Sequence, residues 1–206
     1  MTEEERRIRR ATFLKAGLAT AITLPAVASE VVRAPRATAG PLTPTPTCDD
    51  GDDPTPPQIE GPYFKPNSPE RGDLREPGLP GTLLSISGFV YSRSCSPLQA
   101  VLLDFWQADD YGEYDNTGFR LRGHQFTDAQ GRYQLDTIVP GLYPGRTRHV
   151  HVKVQAPNQP VLTTQLYFPG EPGNDSDAIF DPALLMDVQD GPDGRTATFD
   201  FVLDLP

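Results

Sequence analysis

The stretch Thr147-Arg148-His149-Val150-His151-Val152-Lys153-Val154 holds two of the three histidines in a chain of 206 residues. It alternates as a β-strand does, and on a strand positions i and i+2 point to one face. His149 and His151 therefore project together, with Val150 and Val152 turned the other way, a geometry suited to chelating one ion. Taken alone the pattern is weak, because a pair of ordinary half-buried histidines fits it equally well. Composition limits what completes a shell. An iron site that adds a third histidine downstream is excluded, since none follows His151. His124, in LRGHQF, reads either as a third ligand or as a polar loop residue. Tyrosines are the remaining candidates: Tyr114 in DYGEYDN, after a strand ending at Trp106, and Tyr143 in the tight turn PGLYPGR, six residues before His149. A tyrosine in such a turn is more often a corner packing residue than a ligand.

The elements that must position these residues are short. After Pro57 the sequence becomes apolar runs punctuated by Gly, Pro and Asn, as in an all-β domain. TLLSISGFVY, LQAVLLDFWQ, GRYQLDTIV, HVHVKVQA, LTTQLYF and TATFDFVLDL are each of strand length. In the last, Phe199, Phe201, Leu203 and Leu205 are expected on one side, with Thr198, Asp200, Val202 and Asp204 on the other. Only SDAIFDPALLMDV carries a helical reading, which Pro182 limits to a short piece. The expected fold is a single β-sandwich over residues 58–206 with long irregular loops.

Ahead of it, residues 1–28 run from Arg-rich to apolar to small, the order of an export signal, with Ala26-Val27-Ala28 as the cleavage motif. Arg9 and Arg10 resemble a twin-arginine signal, although two residues rather than the usual one separate them from Phe13. The apolar stretch contains Pro25 and is shorter than the roughly 20 residues a spanning helix needs, so no stable membrane span is expected. The protein is expected to be exported. Residues 29–57, rich in Pro and Thr without periodicity, read as a disordered linker. Cys48 and Cys95 are the only cysteines, and in an exported chain a disulfide between them is the natural expectation. The formal charge of −10 and pI near 4.7 argue against a phosphate-binding surface, which makes nucleic acid an unsuitable partner and small molecules the better one.

EGPYF (60–64), DFWQADDYGEYDN (104–116), FTDAQGRYQLDTIVPGLYP (126–144), RTRHVHV (146–152) and TQLYFPG (164–170) resemble, in order and spacing, the intradiol ring-cleavage dioxygenases, the protocatechuate 3,4-dioxygenase and catechol 1,2-dioxygenase type. The resemblance implies a non-haem Fe(III) ion held by Tyr114, Tyr143, His149 and His151. It places Arg146 and Gln165 in catalytic and substrate-binding roles and brings Trp106 and Tyr63 to the substrate cavity. Arg146-Thr147-Arg148 stands where the family often has Arg-Pro, so Arg148 competes for the arginine role. The implied reaction opens a catechol-type ring between its two hydroxyl-bearing carbons with O2 and gives a cis,cis-muconate-type diacid. Family sandwiches often pair, which leaves a homo-oligomer open. Phenolate oxygens are hard donors that favour Fe(III), and imidazoles complete a mixed set.

Catechol, protocatechuate and hydroxyquinol remain alternatives as substrate, and Arg120, Arg122 or Arg148 would be the cation for a ring carboxylate. A different class of reading is a non-catalytic module, because TDAQGRYQLDTIVPGLYP also resembles the hairpin of carboxypeptidase-regulatory-like and transthyretin-like sandwiches. That module has no need for Tyr114, His149 and His151 to converge.

Overall fold

The structure, a computed structural model, describes residues 53–206. The expected export signal, most of the expected linker and Cys48 lie outside the described residues. Cys95 is disulfide-bonded. Among the described residues there are nine strands: β1 (Leu83–Ser92), β2 (Leu102–Trp106), β3 (Arg122–Phe126), β4 (Arg132–Ile138), β5 (His149–Gln155), β6 (Leu162–Tyr167), β7 (Asp187–Gly191), β8 (Gly194–Thr198) and β9 (Phe201–Leu203). One sheet has the order β4-β1-β8-β7 with β9 also on β1, and the other β3-β2-β5-β6. Alternation explains how they pack. Leu84, Ile86, Leu135, Ala197 and Phe201 from the first sheet meet Leu103, Phe105, Val150, Val152, Val154 and Leu166 from the second in one buried cluster. The expected all-β sandwich is what forms.

Three local differences from the sequence reading have physical causes. SDAIFDPALLMDV forms no α-helix. It holds one short 3-10 turn, Pro182–Leu184, where the Asp181 carboxylate accepts from the Ala183 N–H and Pro182 occupies the first turn. A second such turn spans Pro172–Asp175. His124 lies on a strand, β3, rather than in a loop. Ordered contacts also begin ahead of residue 58: the Thr55 N–H donates to the Val202 carbonyl at 2.9 Å, and the Thr164 hydroxyl donates to the Pro56 carbonyl at 2.8 Å. Residues 55 and 56 thus bridge the open side between the two sheets.

The run TATFDFVLDL is broken into β8 and β9, which follow the same edge of β1 in parallel. At the break the Asp200 carboxylate takes the place of a strand carbonyl and accepts the Phe89 N–H at 2.8 Å. Phe201 and Leu203 still enter the core, with Phe199 and Leu205 packed against it. Val202 is buried as well, because Thr55 covers it. Gly88 makes this approach feasible, since a Cβ there would lie 1.9 Å from the Phe199 carbonyl oxygen. The hydroxyl of Tyr133, the cross-strand partner of Gly88, donates to that same oxygen at 2.8 Å. Gly88→Ala is therefore expected to cost about 2–3 kcal/mol of stability, read as a lowered urea midpoint with unchanged slope.

Candidate metal centre

Strand register builds the floor of the site. In the second sheet Arg122 lies opposite Trp106, Trp106 opposite His151, and His151 opposite Gln165. These four residues form a row across β3, β2, β5 and β6 on the face away from the core. One step along, His149 lies opposite Tyr167. Val150 and Val152 point into the core, as the alternation requires, and the two histidines share the other face with their Nε2 atoms 3.1 Å apart. Trp106 stacks flat on His151, ring centroids 4.7 Å apart and planes 6° off parallel.

Three irregular segments close over this floor. Residues 58–65 run across the row as a strap that the floor residues hold in turn. Gln165 Nε2 donates to the Ile59 carbonyl at 2.9 Å, Arg122 Nη1 donates to the Tyr63 carbonyl at 2.6 Å, and Phe64 packs edge-on against Trp106. The β2–β3 loop brings Tyr114. It is fixed by Asp109, which accepts from the Tyr111 and Glu113 N–H groups, and by Asp115, which accepts from the Thr117, Gly118 and Arg120 N–H groups. The β4–β5 loop brings Tyr143 and Arg146. Tyr63 stacks on Tyr114 at 4.5 Å between centroids, and its hydroxyl lies 3.1 Å from that of Tyr143.

Tyr114 Oη lies 3.3 Å from His149 Nε2, so a phenol oxygen and two imidazole nitrogens converge. The Tyr143 ring lies edge-on to that of Tyr114, centroids 6.0 Å apart. Two donors each about 2.1 Å from one ion and at right angles to each other sit about 3.0 Å apart, so the observed spacing fits neighbouring positions around one cation. His149 Nδ1–H donates to the Thr147 carbonyl at 2.7 Å, which leaves the Nε2 lone pair free for a metal. Burial pushes the His149 pKa down to about 4 and that of His151 well below its usual value, so both rings are neutral donors at pH 7. Burial raises the Tyr114 pKa, opposed by the fields of Arg146 and Arg122, so the phenol gives up its proton only to a strong cation. Among the described residues no three His, Cys, Asp or Glu side chains cluster as a metal site. The donor set here is two imidazoles with phenols, which suits Fe(III).

Arg146 completes the site. Its Nε donates to Asp177 Oδ2 at 2.8 Å and its Nη2 to Gln165 Oε1 at 2.7 Å and Tyr167 Oη at 3.3 Å. Tyr63, Trp106, Tyr114, Tyr143, Arg146, His149, His151 and Gln165 are thus gathered in one place. His124 is not among them, for it lies opposite Asp104 on the outer strand and its Nδ1 is 3.1 Å from Ser68 Oγ. Arg148 turns away to Glu171 and the Pro140 carbonyl, whereas Arg146 is the one that reaches Gln165 and Tyr167. Three participants were missed in the sequence, Tyr167, Asp177 and the Thr147 carbonyl, while Arg122, expected as a cation for a ring carboxylate, holds the strap instead. Only Tyr167 had a signal, its i+2 spacing from Gln165 on one strand.

The dioxygenase family model matches residues 59–205. The dioxygenase domain of a dioxygenase carbohydrate-binding protein fusion from Streptomyces sp. SirexAA-E is 66% identical, with a TM-score of 0.74 over 75% of this chain and 100% of that domain. Catechol 1,2-dioxygenase 2 from Acinetobacter lwoffii is 31% identical over 57% of this chain and 52% of its own length. The protocatechuate 3,4-dioxygenase beta chain from Burkholderia cepacia is 32% identical over 48% and 50%. The chain spans about half the length of these two curated relatives. With a family model covering most of the sandwich and a convergent set of phenol and imidazole donors, the chain belongs to the intradiol ring-cleavage dioxygenase family.

Proposed function

We propose that the protein is a non-haem Fe(III) dioxygenase that opens a catechol ring between its hydroxyl-bearing carbons with O2, giving a cis,cis-muconate-type diacid. The observation that carries this reading is the convergence of Tyr114 Oη, His149 Nε2 and His151 Nε2 within 3.3 Å of their neighbours, with Tyr143 beside them. Tyr114, Tyr143, His149 and His151 would hold the ion. Bound there, Fe(III) would supply a Lewis acid and electron acceptor for a catechol, which would make a ring carbon reactive toward O2.

The chain's own residues do the rest. His149 and His151 enter as neutral donors and need lose no proton. Tyr143 Oη, hydrogen-bonded to Tyr63, is as a phenolate the chain's acceptor for one phenolic proton of the substrate. Arg146 supplies a fixed positive charge beside the anion that develops on the ring, and Gln165 holds that guanidinium and the strap at once. Trp106, Phe64 and Tyr63 wall the space with aromatic surface and exclude water. Of the cations considered for a ring carboxylate, Arg120 is paired with Asp109, Arg148 is paired with Glu171, and Arg122 is buried with two carbonyl acceptors. A catechol without a carboxylate is therefore the better substrate. Export directed by residues 1–28 belongs to the same proposal and is tested by sequencing the N-terminus of secreted protein.

The iron-replete protein is expected to be burgundy, with a visible band that moves to longer wavelength on anaerobic addition of catechol. A colourless protein unmoved by catechol would overturn the reading. His149→Ala and Tyr114→Phe are each expected to lose the band and most of the iron, whereas Arg146→Gln keeps the iron and lowers kcat/KM about 100-fold. Oxygen-uptake assays should give a kcat/KM for catechol at least about ten times that for protocatechuate, since one missing ion pair is worth roughly that much. The pH dependence follows from the buried histidines. Unfolded, both take up protons near pH 6.5, while folded His149 does so only near 4. The unfolded state binds more protons between these values, so the iron-free protein loses stability as pH falls through that window, by about 3 kcal/mol for His149 alone. Melting temperatures of iron-free protein at pH 7.5, 6 and 5 check the direction.

A further inference from the structure

Arg146 is charged, stands on a loop rather than a strand, and yet is held from two sides. Nε donates to Asp177 Oδ2, and Nη2 donates to Gln165 and Tyr167. Its Nη1 makes no hydrogen bond among the described residues. Gln165 and Tyr167 belong to β6 and are fixed by the sheet, whereas Asp177 lies in the irregular stretch between β6 and β7. That stretch is nonetheless rigidly tied. The Asp177 side chain is 2% exposed, and its Oδ2 also accepts the Thr147 N–H at 2.9 Å while Oδ1 accepts the Ile179 N–H at 3.1 Å. A few residues earlier, Asn174 accepts from the Thr147 hydroxyl at 2.7 Å and donates to the Phe168 carbonyl at 3.0 Å. The carboxylate is thus pinned by backbone on both oxygens before it meets the guanidinium.

We infer that Asp177 is a positioning residue of the reaction, a buried carboxylate that fixes the plane and place of the Arg146 guanidinium and so leaves Nη1 to meet the bound substrate. This rests on the dioxygenase reading. A charge preorganised against a developing anion gains most when it does not have to be moved into place, and a planar fork held at Nε and Nη2 has lost its freedom to rotate. Burial acts to raise the Asp177 pKa, but the N–H donors of Thr147 and Ile179 and the adjacent guanidinium hold it below the usual carboxylate range, so the anchor is charged at neutral pH. A mere staple for the β4–β5 loop would act on stability irrespective of what stands at position 146. A positioning residue acts through Arg146 and has nothing to act on once Arg146 is gone.

That contrast sets the experiment, a cycle of Asp177→Asn, Arg146→Gln and the double variant in the full iron-loaded chain. Catechol kcat/KM is read alongside iron content, the anaerobic catechol affinity from the visible band, and the melting temperature of the iron-free protein. Asp177→Asn alone is expected to lower kcat/KM about 30- to 100-fold with iron content unchanged, and to lower it no more than about 3-fold further in the Arg146→Gln background. Losses that multiply, or an Asp177→Asn rate within about two-fold of the parent, overturn the inference. Should Asp177→Asn melt below the assay temperature, Asp177→Glu keeps the charge but shifts the guanidinium. Its loss of rate is expected to vanish in the Arg146→Gln background, and persistence there overturns the inference equally. A parent protein without the band or without turnover defeats the dioxygenase reading itself, whereas a coloured, active parent with multiplying losses defeats only the role of Asp177.

Discussion

The antiparallel register of β5 between β2 and β6 is the constraint from which the rest of the site follows. Because His151 stands opposite both Trp106 and Gln165, one row supplies a candidate metal donor, the aromatic plate stacked on it and the amide that grips both Arg146 and the strap. A slip of one residue would turn both histidines into the core and Val150 and Val152 out to the site. The register is secured from the opposite face, where Val150, Val152 and Val154 interlock with Leu103, Phe105 and Leu166. Apolar packing on one side of a single sheet thus fixes the geometry of the candidate donors on the other.

Electrostatically the site is a pocket of neutral donors with cations beside it. Two imidazoles are held unprotonated, a phenol is held protonated, and Arg146 and Arg122 lie close enough for their fields to act on Tyr114. Arg122 is almost wholly buried, with two carbonyl acceptors from Tyr63 and Asp115 and an unpartnered Nη2. Such an arrangement is poorly matched to another cation until phenolates form, so in the proposed iron enzyme metal entry and tyrosine deprotonation would be a single event.

The sequence made some of this legible and hid the rest for identifiable reasons. β5 was readable because strict alternation with branched apolar residues has only one interpretation, and the tyrosine donors came through family motifs rather than through any local property of their turns. β3 was not readable. Gly123 interrupts it because residues 71 and 74 approach that backbone so closely that a Cβ would fall 2.7 Å from Leu74 Cδ2, and a glycine flanked by polar residues carries no strand signal. β7 is a mostly polar edge hairpin with the same defect. The burial of Thr55 and the anchoring of Pro56 were hidden because Pro- and Thr-rich composition says nothing of a sheet edge waiting for partners. Asp177 depends on a tertiary meeting between two loops, to which neither periodicity nor spacing points.

The strap over the site has no regular structure of its own, and several of its anchoring bonds are to side chains that exist in place only after β2, β3, β5 and β6 have paired. Such a segment cannot find its position before the sheet does. The cover thus depends on the floor for its place, whereas the floor, held by its own ladder and by apolar packing beneath, does not depend on the cover. Loosening the strap would therefore open the histidines from above without disturbing their aim, so the same few bonds that seat the cover also set the entrance.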